Sequence, residues 1–138
     1  MFFEDHFQLC DLESWLDPLD SASVECDGMT RLISMLLERE RIPHLVMQGR
    51  LRMRAQDQPD GTTPAICHWW ITLGSDVVVD YRARMWMGPA APHGVFRLPE
   101  YPVEYLDAAE SILSPLPIPI LEIMSGVSLS QYPPFVSR

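Results

Sequence analysis

The sequence predicts an α+β domain, a helix near the N-terminus followed by strands, and three stretches carry that prediction. Met29, Leu32, Ile33, Leu36 and Leu37 recur at i, i+3, i+4, i+7 and i+8, the stripe of an amphipathic helix. Residues 44–54 alternate apolar and polar side chains late in the run, which is strand periodicity. Residues 66–73 and 77–82, rich in β-branched and aromatic side chains around Gly74, Ser75 and Asp76, read as a hairpin.

Taken in order, the first twenty residues are acidic and aromatic and suggest one short helix serving as a lid or an edge. The cysteine helix follows from Ser23, with Ser21 or Ser23 as its N-cap. It closes at about Glu40 or Arg41, because Pro43 confines Ile42 to extended geometry. Gly49 suggests a bulge in the first strand, and residues 55–64 a polar connection. Beyond Trp86 the chain is proline-rich, with a short helix expected over residues 105–113. Phe96, Tyr105, Leu113, Ile118, Ile120 and Leu121 imply that this segment wraps the core. The expected organisation is one domain, residues 1–138, with a core over 23–86 and a wrapping segment over 87–138.

At 138 residues, 47% hydrophobic and 21% charged, the chain has enough apolar surface to hold together without disulfides or metal. A net charge of −9 argues against nucleic acid, which needs a basic face. Arg50, Arg52, Arg54, Arg82 and Arg84 alternate as on the solvated side of strands. No apolar run reaches membrane-spanning length and the N-terminus carries acids rather than bases, so no membrane partner and a cytoplasmic location are expected. Cys10, Cys26 and Cys67 match neither a zinc nor a disulfide spacing and read as free thiols.

Cys26 lies in phase with the helical stripe, three residues before Met29, at a helix N-terminus whose dipole favours the thiolate. It also reads as a small hydrophobe completing that stripe. A nucleophilic cysteine needs a base, and the base a group that fixes its tautomer. His68 and Asp80, on the two arms of the hairpin, share a face if the loop holds an odd number of residues. A loop of residues 73–75 sets them directly opposite, and one of residues 74–76 sets Asp80 diagonally, next to Trp70. His93 is a competing base without a carboxylate pattern beside it. A zinc site from Cys26, Cys67 and His68 is awkward, because adjacent strand residues point to opposite faces.

The run Cys26-Asp27-Gly28-Met29, the leucine-rich helix, Ile42-Pro43, Val46 and Gly49, then His68-Trp69-Trp70-Ile71 and Val77-Val78-Val79-Asp80, resembles the core of the transglutaminase-like, papain-like cysteine hydrolases. The resemblance covers residues 24–81. It implies an antiparallel β-sheet packed on the N-terminal cysteine-bearing helix, with Cys26 as nucleophile, His68 as general base and Asp80 as orienter. The implied reaction is thiol-dependent acyl chemistry on a peptide or protein amide, as a protease, amidase, deamidase or acyltransferase, with no cofactor or metal. Two positions depart from the pattern: Arg41 where a glycine is usual, and Trp69 where a small residue is usual. Within this reading the Cys26 backbone N–H is an oxyanion donor, with Gln8, Gln48 or a hairpin tryptophan as its companion. Trp70, Gln48 and Arg82 are substrate-binding candidates, Arg82 for a carboxylate. The alternative is a catalytically inactive member acting as an acidic binding module or inhibitor.

Overall fold

The computed structural model describes residues 8–53, 65–98 and 103–136. The elements are α1 (Leu9–Leu16), a 3-10 turn (Asp17–Ser21), α2 (Cys26–Arg39), β1 (Leu45–Met53), β2 (Ile66–Leu73), β3 (Val77–Asp80), α3 (Ala83–Met87), β4 (Gly94–Arg97), β5 (Val103–Glu110) and α4 (Ile118–Ser125). The strands form one antiparallel sheet in the order β4-β3-β2-β1-β5. The mixed helix and antiparallel sheet is the expected α+β class.

The stripe of α2 is buried as its spacing requires. Leu32, Ile33, Leu36 and Leu37 pack with Ile71, Leu73, Val77 and Val79 from one sheet face. Leu12, Leu16 and Leu19 are fully buried in the same core, so the N-terminal helix is an integral layer rather than a lid. The reverse face holds a smaller cluster of Leu51 and Val103 against Ala83 and Ala91, with Ile66 and Tyr105 beside it.

α2 begins later than the serine caps suggest: Glu25 occupies the N-cap without a side-chain bond, and the first turn is closed by Met29 N–H to Glu25 O at 2.8 Å. Its far end follows helix-stop chemistry closely. Arg41 N–H donates to Glu38 O at 3.0 Å and Ile42 N–H to Leu37 O at 2.9 Å, the paired bonds of a Schellman motif. Buried Ile42 packs within the same core as Leu37. The motif requires a left-handed residue, and Arg41 adopts φ 59°. The position where a glycine was expected is therefore conformationally a glycine position filled by arginine.

Residues 105–113, expected as a helix, instead supply most of β5, which pairs with β1. With β4, this carries the sheet beyond the core expected over 23–86. The bulge also falls elsewhere. Between Gln48 and Arg50 the register against β5 shifts by one, and the extra residue lies on β5, where Asp107 takes φ 54°. Gly49 is needed for close approach: a Cβ there would stand 2.5 Å from Leu106 O and 2.8 Å from the Trp70 ring. The expected connection over 55–64 falls outside the described residues.

The C-terminal segment wraps the helices, as its apolar residues imply. Leu121 and Leu129 are buried, and Trp15 packs against Tyr132 and Phe135 with ring centroids 5.5 and 5.4 Å away. Arg39 donates to the carbonyls of Leu129, Tyr132 and Pro133, and Trp15 Nε1 to Pro133 O at 2.9 Å. Among the described residues, no helix is long and apolar enough to cross a membrane.

Candidate active site

The loop between β2 and β3 is Gly74, Ser75 and Asp76, closed by the Leu73–Val77 pair, with Gly74 at φ 64°. Three residues is an odd number, so His68, Trp70, Val78 and Asp80 share one face. Of the two geometries open to the sequence, the structure adopts the diagonal one. β3 ends at Asp80, so no β3 residue pairs with His68.

His68 is fully buried and Asp80 nearly so. His68 Nε2 donates to Asp80 Oδ2 at 2.8 Å. The same oxygen accepts the Tyr105 hydroxyl at 2.7 Å, and Oδ1 accepts the backbone N–H groups of Arg82 at 2.9 Å and Ala83 at 3.0 Å. Four donors hold one carboxylate in a single orientation, which in turn fixes the imidazole. Trp70 lies nearly parallel to His68 at 6.2 Å between ring centroids and meets Tyr105 edge-on at 4.9 Å.

Burial by itself lowers the pKa of His68, but the hydrogen bond to Asp80, the Cys26 thiol and the negative charges of both outweigh it and raise the value to about 9. The ring is therefore an imidazolium at neutral pH. Its other nitrogen, Nδ1, is buried and, among the described residues, has no partner at full hydrogen-bonding geometry. Cys26, half-buried at the first position of α2, is the second side chain whose proximity raises the ring's proton affinity, and its carbonyl accepts the Thr30 hydroxyl at 2.6 Å. Tyr105 is raised well above its ordinary value by burial and by the Asp80 charge, so it stays a hydroxyl donor.

The structure thus brings Cys26, His68 and Asp80 together and disperses the other candidates. Trp70 is 2% exposed and serves packing. Gln48 lies opposite Trp69 rather than His68, exposed on the sheet face that packs against α2, and Gln8 stands exposed before α1. Arg82 has no donor left for a substrate carboxylate, because every guanidinium N–H is bonded within the fold. His93 does have a carboxylate partner, Asp20 Oδ2 at 2.8 Å, which the local sequence around it did not signal because Asp20 is far away in the chain. Cys67 is exposed on the strand side opposite His68, and among the described residues no group of three His, Cys, Asp or Glu is placed to hold a metal.

Tyr105 is the site residue that sequence reasoning passed over. Its signal lay in the alternation of Val103 and Tyr105 with Glu104, a strand pattern obscured by the surrounding prolines. Comparison with protein-family models, with curated proteins and with solved structures gives no match to this chain.

Proposed function

We propose that this protein carries out thiol-dependent acyl chemistry on an amide through Cys26, His68 and Asp80, on a helix-and-sheet core of the transglutaminase-like, papain-like kind. The supporting observation is the buried His68–Asp80 bond, on a ring whose proton affinity is raised by both Asp80 and the Cys26 thiol. Their order along the chain, a helix start followed by two adjacent strands, is the order of the resemblance.

In this mechanism the resting pair is a Cys26 thiolate beside a His68 imidazolium. The sulfur attacks the amide carbonyl carbon, a C–S bond forms, and the carbonyl electrons move to oxygen. The Cys26 backbone N–H, at the open end of α2, stabilises that oxyanion. Collapse breaks the C–N bond, and the leaving nitrogen takes the proton from His68. Water or an amine, deprotonated by His68, then attacks the thioester; the C–S bond breaks and the Cys26 thiolate is restored beside the reprotonated ring. Asp80 keeps the ring oriented and supports its charge throughout.

The test compares iodoacetamide alkylation of Cys26 with that of exposed Cys10 and Cys67 at neutral pH, by peptide mass spectrometry, in the native protein and in His68→Gln. Faster reaction at Cys26, lost in the folded variant, is expected. Equal reactivity of all three thiols would remove the proposal. A second reading, a non-catalytic binding module, draws on the exposed apolar side chains Ile118, Ile123 and Met124 of α4, and predicts that second outcome.

A further inference from the structure

We propose that Arg82 is the positioning residue of this site, tying the carboxylate that orients His68 to the backbone that delivers Cys26. The proposal deepens the catalytic reading above and rests on it.

All five guanidinium donors are used. Nε donates to Val24 O at 2.6 Å, Nη1 to Asp20 Oδ1 at 2.9 Å and Tyr81 O at 2.7 Å, and Nη2 to Asp20 O at 3.1 Å and Ala22 O at 2.8 Å. Three of the acceptors are the main-chain carbonyls of residues 20, 22 and 24, on the segment that runs into Cys26. The backbone N–H of the same residue holds Asp80 Oδ1. A single residue therefore spans the gap between the nucleophile's approach and the orienting carboxylate.

Burying a cation against mainly neutral acceptors is a poor route to stability alone, since apolar packing is often as stabilising as a buried charge. What the guanidinium adds is direction: a rigid planar fork sets three carbonyls relative to one another. A lysine, with a single ammonium on a flexible stem, lacks that geometry. Asp20, which accepts from both Arg82 and His93, braces the segment from its exposed side. A cavity of about 500 Å³ has Asp20, Ala22, Val24 and Arg82 on its wall, so solvent reaches the guanidinium's surroundings from one direction.

The experiment measures the alkylation rate of Cys26 relative to that of Cys67 in the same molecule, in the full chain, for Arg82→Met and Arg82→Lys. Melting curves identify the temperature at which each variant is folded. The ratio is expected to fall about tenfold in Arg82→Met, to stay low in Arg82→Lys, and to recover in part when methylguanidinium is added to Arg82→Met through the cavity. A purely structural role would lower the melting temperature and leave the ratio of the folded protein unchanged, and that outcome overturns the proposal. Should neither arginine variant fold, Asp20→Ala removes one anchor at a half-exposed position. A two- to threefold drop in its ratio is then expected, and an unchanged ratio again overturns it. If native Cys26 shows no excess over Cys67 and no dependence on His68, the catalytic reading fails first and this proposal with it.

Discussion

The Tyr105 hydroxyl and His68 Nε2 converge on one oxygen of Asp80, at 2.7 and 2.8 Å. The phenol therefore competes with the imidazole for the charge that holds the His68 proton. Replacing Tyr105 by Phe removes one buried donor and is expected to cost about 2 kcal/mol, measured by urea denaturation. The same change leaves more of the Asp80 charge to His68, so the imidazole should titrate higher than in the native protein. Proton NMR of the His68 ring against pH checks the direction, and a downward move would contradict it.

Stability should depend on pH through His68. Its folded pKa is about 9 against 6.5 for the free side chain, so between those values the native state holds a proton that the unfolded state has lost. The stabilisation is complete below about pH 6.5 and disappears as pH rises through about 9. Unfolding midpoints in urea should thus decline from neutral to alkaline pH, more steeply than in His68→Gln. Parallel declines in the two proteins would contradict the assignment.

Arg41 carries a left-handed backbone conformation at the C′ position of α2 with no glycine to relieve it. Arg41→Gly is expected to stabilise the protein by about 1 kcal/mol, because the relief of strain exceeds the added freedom of the unfolded chain. Thermal unfolding reads this directly, and a lower midpoint would show that the arginine side chain contributes more than its backbone costs.

Gly49→Ala should act in the opposite sense. The added methyl meets a backbone carbonyl on β5 and the Trp70 ring at once, and neither is a flexible side-chain end. A loss of about 3 kcal/mol is expected, together with reduced Cys26 reactivity as Trp70 is pushed toward His68. Loss of stability without any change in that reactivity would separate Trp70 from the site.

Much of this architecture was legible because it rests on local pattern. The α2 stripe and the hairpin are each written within short local runs, whereas the sequence left two loops open between His68 and Asp80 and joined Cys26 to them only through the family resemblance. What was not legible depends on partners distant in the chain. Gly49 looks like a bulge in isolation, and only the arrival of β5 shows that it yields room to Leu106 and Trp70. Arg82 looks like a free cation until the carbonyls of residues 20–24 fold over it. Tyr105 opens a stretch between prolines that reads as a short helix, and pairing with β1 overrides that local pattern.

The clasp between Arg39 and the carbonyls of Leu129, Tyr132 and Pro133 joins parts of the chain separated by 90 to 94 residues, and Trp15 reaches Pro133 across 118. Contacts of such long range form late, because the loop they close must be ordered first. On a ribosome, α1 and α2 emerge well before residues 129–135 exist. The thiol-bearing helix therefore waits for its outer cover, and Cys26 reaches its final setting only once residues 129–135 have been made.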